Sequence, residues 1–370
     1  MVLTMKRIWK EKLDNIKPYV PGKPIEEVER ELGIEGVIKM ASNENPFGPS
    51  PKVAAAIAEA AGSVNRYPDA DCYYLRRALS AKLSVDGKNI IFGNGSDEII
   101  ILVLRAFIHP GDEVLIADPT FLMYNIASLV EGADVRAVPM KDMKYDLEAM
   151  ADAITDRTKV IFIANPDNPV GTYVAKKEFD AFIERVPGNV IVMVDEAYYE
   201  FVDNDDYPET LGLIEREDKH VIITRTFSKA YGLAGLRVGY GIAKRDMIEV
   251  LNKVREPFNV NSVGQAAALA ALEDTEYVER SLSLVRSEKK RFYALFDELG
   301  IKYVPSSTNF ILVDTGGDSK DIFDHLLKRG IIVREMSVWG LNSFIRVTIA
   351  LEEENDRFFA AFRAVINNKG

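Results

Sequence analysis

The sequence predicts an α/β protein: a large unit built on a mainly parallel, doubly wound sheet, a smaller C-terminal α+β unit, and an N-terminal arm. Three observations predict it. Short apolar runs alternate with longer helical stretches through residues 46–272, the pattern of successive βαβ units. Most of those runs are continuous and β-branched, as strands buried on both faces are. After Leu272 the texture changes to charged helical segments separated by isolated strands.

Residues 1–45, with Pro18, Pro21, Gly22 and Pro24, read as an arm that packs on the small unit or on a partner chain. Strands are expected at 89–92, 113–117, 134–139, 159–164, 190–194, 220–224 and 238–242, with helices such as 96–108 and 176–185 between them. The large unit then spans 46–272 and the small one 273–370. The small unit opens with a charged helix over 275–299. Strands at 309–314, 331–335 and 343–349 follow, with helices near 319–329 and 353–366.

Composition narrows the chemistry. The 370 residues carry 46 Lys+Arg against 57 Asp+Glu, so the net charge is 46 − 57 = −11, which argues against a nucleic-acid partner. Cys72 is the one cysteine, which rules out an internal disulfide and suits a reducing compartment. His109, His220 and His325 show no metal-ligand spacing, and no metal is expected. The N-terminus has no signal-peptide pattern, and the longest apolar run, 266–272, is far short of the ~20 residues of a membrane span. The chain therefore reads as cytoplasmic, with carboxylates, Lys, Tyr or a borrowed cofactor to do its chemistry.

Four segments could carry that chemistry. Gly93-Asn-Gly-Ser-Asp-Glu98 joins a strand to a helix; it suits either an anion held by backbone N–H groups or a helix capped by Ser96. Val190-Ile-Val-Met-Val-Asp-Glu-Ala-Tyr198 places Asp195 at the carboxyl end of a strand, where open α/β sheets bind ligands. Around Lys229, Thr224-Arg-Thr-Phe-Ser-Lys-Ala-Tyr-Gly-Leu-Ala-Gly-Leu-Arg-Val-Gly-Tyr240 sets small residues and anion donors beside an amine that can form a Schiff base. Ala164-Asn-Pro-Asp-Asn-Pro-Val-Gly171 fixes Asn168 between two prolines, either to aim its amide or simply as a loop.

Together and in this order, the four segments resemble the fold-type-I pyridoxal-phosphate (PLP) aminotransferases of the class I and II family, over nearly the whole chain. The resemblance implies that Lys229 holds PLP covalently and that Asp195 pairs with the pyridinium nitrogen. It also implies that Tyr198 and Asn168 bond to the ring's phenolic oxygen and that Tyr124, in Asp118-Pro-Thr-Phe-Leu-Met-Tyr124, stacks on the ring. The 5′-phosphate falls to backbone donors of Ser96, Asp97 and Glu98, with Thr226, Ser228 and Arg237. One departure is N-P-D-N-P-V-G in place of N-P-N-N-P-T-G; the second asparagine, Asn168, is retained.

Within that family, Asn43-Glu-Asn-Pro-Phe-Gly-Pro-Ser-Pro51, Arg66-Tyr-Pro-Asp69 and Pro257-Phe-Asn-Val-Asn261 resemble the histidinol-phosphate aminotransferases. This implies transamination between L-histidinol phosphate and 2-oxoglutarate, giving imidazole-acetol phosphate and glutamate in histidine biosynthesis. It implies substrate contacts from Tyr19, Asn43, Arg334 and Arg346, and a homodimer in which Tyr67 reaches the other subunit's PLP phosphate. At 350–351, Ala-Leu replaces the more usual Gly-Thr, which touches only the turn after Arg346. A phosphothreonine decarboxylase and an aromatic amino-acid aminotransferase of the same fold are the alternatives; a PLP-binding transcription regulator lacks its winged-helix segment here.

Overall fold

The computed structural model describes residues 8–367, so the first seven residues of the expected arm and the last three of the expected small unit lie outside the described residues. Its strands are β1 (Ile38–Lys39), β2 (Ile90–Gly93), β3 (Glu113–Asp118), β4 (Asp134–Pro139), β5 (Thr158–Ala164), β6 (Ile191–Asp195), β7 (His220–Thr226) and β8 (Gly239–Ala243). The later ones are β9 (Lys302–Val304), β10 (Phe310–Asp314), β11 (Ile331–Ile332), β12 (Arg334–Glu335) and β13 (Phe344–Thr348).

The main sheet has the order β2-β8-β7-β6-β5-β3-β4. Strands β4, β3, β5, β6 and β7 are mutually parallel, and β8 lies antiparallel to both β7 and β2. All seven expected strands are present within two residues of their expected ends. The reason they could be read lies in burial: every residue of β2, β6 and β8 is buried, so their sequences are continuous apolar runs. The main core also takes in the C-terminal helices. Phe292 and Phe296 of the helix Thr275–Glu298 pack on Phe358 and Phe362 of the helix Glu352–Asn367, and all four rings are fully buried. The i, i+4 spacing on both helices sets one aromatic face against the other, and cutting one ring to alanine costs about 3–5 kcal/mol.

The register lines up the strand ends. Ala164 lies beside Asp195, Asp195 beside Thr224, and Gly93 and Thr226 both beside Gly239. One edge of the sheet therefore gathers the segment after β2, the loop after β5, the carboxylate ending β6 and the lysine loop after β7.

A second sheet, β12-β13-β10-β9, is antiparallel throughout. The run 331–335, expected as one strand, splits at Val333. Ile331 and Ile332 pair in parallel with Ile38 and Lys39, and then Arg334 and Glu335 join β13. The switch arises because the segment preceding Asn43 lies alongside: Val28, Val37 and Ala41 form a small apolar cluster with Ile332. A helix, Ile25–Leu32, precedes β1 and ends on Gly33 at φ +66°, the left-handed cap that glycine takes without strain.

Candidate active site

At that sheet edge is a cavity of about 450 Å³, lined among others by Tyr19, Asn43, Asp195, Lys229, Arg334 and Arg346. Its volume falls in the range of small-molecule sites. Its floor comes from the strand ends. Asp195 is buried, and its Oδ2 accepts the Tyr124 hydroxyl at 2.8 Å while Oδ1 accepts the Ala197 N–H at 3.2 Å. Burial pushes this carboxyl up to about 6, against the pull of the Tyr124 bond. Among the described residues no lysine or arginine forms an ion pair with it. The Lys229 amine donates to the Ser42 carbonyl at 3.3 Å and lies 5.8 Å from the centre of the Tyr198 ring. Burial lowers it to about 8, with the Arg346 charge adding to the effect. Tyr198 is held by the Asn43 amide, which donates to its hydroxyl at 2.8 Å, and burial raises that phenol well above its ordinary range.

One wall is a close backbone approach. Gly95 has φ +82°, and a Cβ there would meet an Arg237 nitrogen at 2.5 Å; a Cβ on Gly239 would meet the Ser96 nitrogen at 2.3 Å. Gly95, rather than the expected Ser96, is the N-cap, and the helix Ser96–Phe107 begins at the cavity. Its first N–H groups are thus at the cavity wall, with Thr226, Ser228 and Arg237 also lining it. Arg237 reaches across to Asp97 at 3.1 Å. The Glu98 side chain turns away, its carboxylate accepting the Asn94 N–H at 2.5 Å and the Asn259 amide at 2.7 Å, while its backbone N–H, the donor expected, lies in the first turn of the same helix. Those two donors satisfy the carboxylate outside.

The opposite end is cationic. Arg334 and Arg346 are direct cross-strand partners on β12 and β13, and both are buried. Like charges placed opposite each other destabilise a sheet. Each guanidinium packs against Trp339, at 5.2 Å and 6.0 Å from its centre. Arg346 donates to the Asn168 side-chain oxygen and to the Ala41 carbonyl; Arg334 donates to the Val20 carbonyl. The Nε of each is buried with no hydrogen-bond partner, which is costly unless something anionic meets it. Burial, with Arg334 alongside, pulls Arg346 below its ordinary value. Tyr19, half-exposed, lies under Arg334 at 5.7 Å.

Nearly all the expected residues thus meet in one place. Tyr124 lies there with one ring face on Phe162 at 4.6 Å. Asn168 follows Asn165–Pro166, which is one of two cis peptide bonds among the described residues, the other being Asp118–Pro119. Tyr67 does not line this cavity: it is 82% exposed and stacked on Phe258 at 4.7 Å. Three residues were missed. Thr348 bonds to Asn43 through both its hydroxyl and the Asn43 N–H; its place two residues beyond Arg346, on the same strand face, is a signal that could have found it. Trp339 and Ser42 have no such signal.

Tested against pyridoxal phosphate, the residues fit. A cradle closed to any Cβ suits a phosphate, a buried carboxylate without a cationic partner suits a pyridinium, and a buried amine of lowered pKa suits an aldehyde.

Comparisons with known proteins agree. Residues 35–362 match the family model described as aminotransferase class I and II. The histidinol-phosphate aminotransferase of Moorella thermoacetica is 49% identical over 96% of this chain and 92% of its own length, and that of Geobacillus thermodenitrificans 46% identical over 97% and 98%. A crystal structure of histidinol-phosphate aminotransferase from Sinorhizobium meliloti in complex with pyridoxal-5′-phosphate superposes with a TM-score of 0.91 at 31% identity, covering 99% of this chain and 100% of that one. With the site's chemistry and the match over most of its length in agreement, the chain belongs to the class I and II aminotransferases.

Proposed function

We propose that this chain is a PLP-dependent transaminase that exchanges an amino group between L-histidinol phosphate and 2-oxoglutarate. The observation that supports it best is the arginine pair. Two buried guanidiniums placed opposite each other, each with an unpartnered Nε, call for an anionic substrate group. A guanidinium fork accepts phosphate and carboxylate alike, so one pair can serve both substrates in turn, with Tyr19 and Asn43 beside it.

When bound, pyridoxal phosphate supplies the electron sink that lets a substrate Cα–H bond break. Lys229 holds that group covalently, and its amine, once freed, is the base that moves the proton from the substrate's Cα. A base so positioned is worth about 10²–10⁴ in rate. Burial and the Arg346 charge favour the neutral form of that amine, the form that can take a proton. Asp195 holds the proton on the ring nitrogen, with Tyr124 fixing the carboxylate and covering the ring. Tyr198 and Asn168 steady the ring oxygen. Backbone donors of Ser96, Asp97 and Glu98, with Thr226, Ser228 and Arg237, take the phosphate.

The finer organisation belongs to the same proposal. Residues 46–272 supply the floor, 273–370 supply Arg334 and Arg346 at the mouth, and 1–45 flank that mouth with Tyr19 and Asn43. Tyr67, exposed and stacked on Phe258, is set to reach a second copy's phosphate site in a homodimer. No helix among the described residues is long and apolar enough to cross a membrane, and the buried free Cys72 is compatible with the cytoplasm.

The test is a panel of amino donors with PLP and 2-oxoglutarate. Glutamate formed from histidinol phosphate, well ahead of phenylalanine, is expected. CO₂ released from phosphothreonine, with no glutamate from histidinol phosphate, would overturn the assignment in favour of a decarboxylase.

A further inference from the structure

The loop after β5 carries Asp167 at the position where the family pattern has asparagine. Asp167 is fully buried and lies behind the cavity wall. Its Oδ1 accepts the Thr120 hydroxyl at 2.9 Å and its Oδ2 the Val170 N–H at 3.1 Å. Thr120 in turn lies 2.6 Å from the Tyr145 hydroxyl, which accepts the Ala164 N–H. Two connections lead from this carboxyl to the arginine pair. Asn168, the next residue, accepts from Arg346, and the Thr120 carbonyl accepts the indole N–H of Trp339, against which both arginines pack.

We propose that Asp167 is a positioning residue that tunes the arginine pair, a buried carboxylate behind Arg346 that offsets part of the pair's charge and loosens its grip on anions. The proposal rests on the arginines being the anion site. Its value to a transaminase is release: one pair of arginines must let go of each anion before the other can enter.

Burial pushes the Asp167 carboxyl up to about 7, with the Asp195 charge adding, so it is largely ionised at pH 8. The titratable and charged groups that face it are Tyr145, Tyr124, Asp195 and Arg346. The two hydroxyls of the relay can donate in either direction. An asparagine can therefore keep its oxygen on the Val170 N–H and turn its amide toward Thr120, whose hydroxyl then donates to Tyr145. Asp167→Asn removes the charge and keeps the hydrogen bonds. One buried charge several ångströms away changes the affinity for an anion about threefold to tenfold.

The experiment measures sulfate binding to the holoenzyme by calorimetry at pH 8, in wild type, Asp167→Asn, Arg346→Gln and the double variant, with KM and kcat for histidinol phosphate. Asp167→Asn is expected to bind sulfate about threefold to tenfold more tightly and to lower KM by a similar factor without raising kcat. Unchanged or weaker binding, with Arg346→Gln abolishing it, overturns the role of Asp167 alone. Undiminished sulfate binding in Arg346→Gln overturns the arginine site itself. If Asp167→Asn does not fold, Asp167→Ser, which also removes the charge, is measured in its place at pH 8. Tighter sulfate binding than wild type supports the proposal and equal or weaker binding overturns it.

Discussion

The two ends of the cavity are built by opposite rules. At the floor, Asp195 and Lys229 stand at the ends of adjacent parallel strands, and every charge that is buried there is moved toward its neutral form: the acid up to about 6, the amine down to about 8. At the mouth, Arg334 and Arg346 come from a separate antiparallel sheet and keep charges that they cannot lose. Under the proposed function the floor is tuned to move protons, and the mouth to meet an anion. Substitutions at the floor are expected to lower turnover with every amino donor, whereas those at the mouth select among substrates.

The largest expected effect is at the floor. Lys229→Ala abolishes transamination and removes the absorbance band of covalently held cofactor; full turnover in that variant would erase the contrast between the ends. Asp195→Ala folds, retains PLP weakly and turns over at least about tenfold to a hundredfold more slowly, the size of a lost charge-assisted bond in a buried site. Near-normal kinetics would show that the ring nitrogen does not depend on it.

At the mouth, Arg346→Gln raises KM for histidinol phosphate and 2-oxoglutarate by about 10², because truncating one partner of a buried charged contact costs 2–5 kcal/mol. A fall confined to kcat would move Arg346 to the floor's side of the division.

The floor also predicts a pH effect on stability. The unfolded chain keeps the lysine proton up to about 10.4, and the folded one releases it near 8. Between these values the unfolded state binds the extra proton, so the cofactor-free protein gains stability as pH rises. Lys289, also lowered to about 8 by burial, contributes in the same window. Lys229→Met therefore flattens the rise by about 3 kcal/mol without removing it; identical slopes would contradict the lowered amine. The smallest effect belongs to Tyr67→Phe, about tenfold or less in cofactor retention. Cofactor retention at the Lys229-bearing site rising to the wild-type level when this variant is mixed with Lys229→Ala would sharpen the case for a shared site, and no rise would break it.

The same division explains what the sequence made legible. The strands of the main sheet could be read because burial on both faces makes them apolar runs, Asp195 because it ends such a run, and Lys229 because it lies just beyond one among small residues. β1 and β9 could not, since two- and three-residue strands exist only through pairing with partners far along the chain or half-exposed beside β10. The direction of the Glu98 side chain could not be read from its place beside Ser96 and Asp97, because the first helix turn sends its carboxylate to Asn259. The mouth was legible only through resemblance. That Arg334 faces Arg346 depends on strand register, and Trp339 sits beneath both in a short 3-10 turn that has no sequence signature.

One measurement tests the central claim most directly: holoenzyme mixed with a stoichiometric amount of L-histidinol phosphate and no 2-oxoglutarate. The account predicts a single half-turnover, in which the absorbance of the Lys229-held cofactor is lost once, one equivalent of imidazole-acetol phosphate appears and no CO₂ is released, with 2-oxoglutarate restoring the band. An unchanged spectrum, or continued turnover with loss of CO₂, would contradict it.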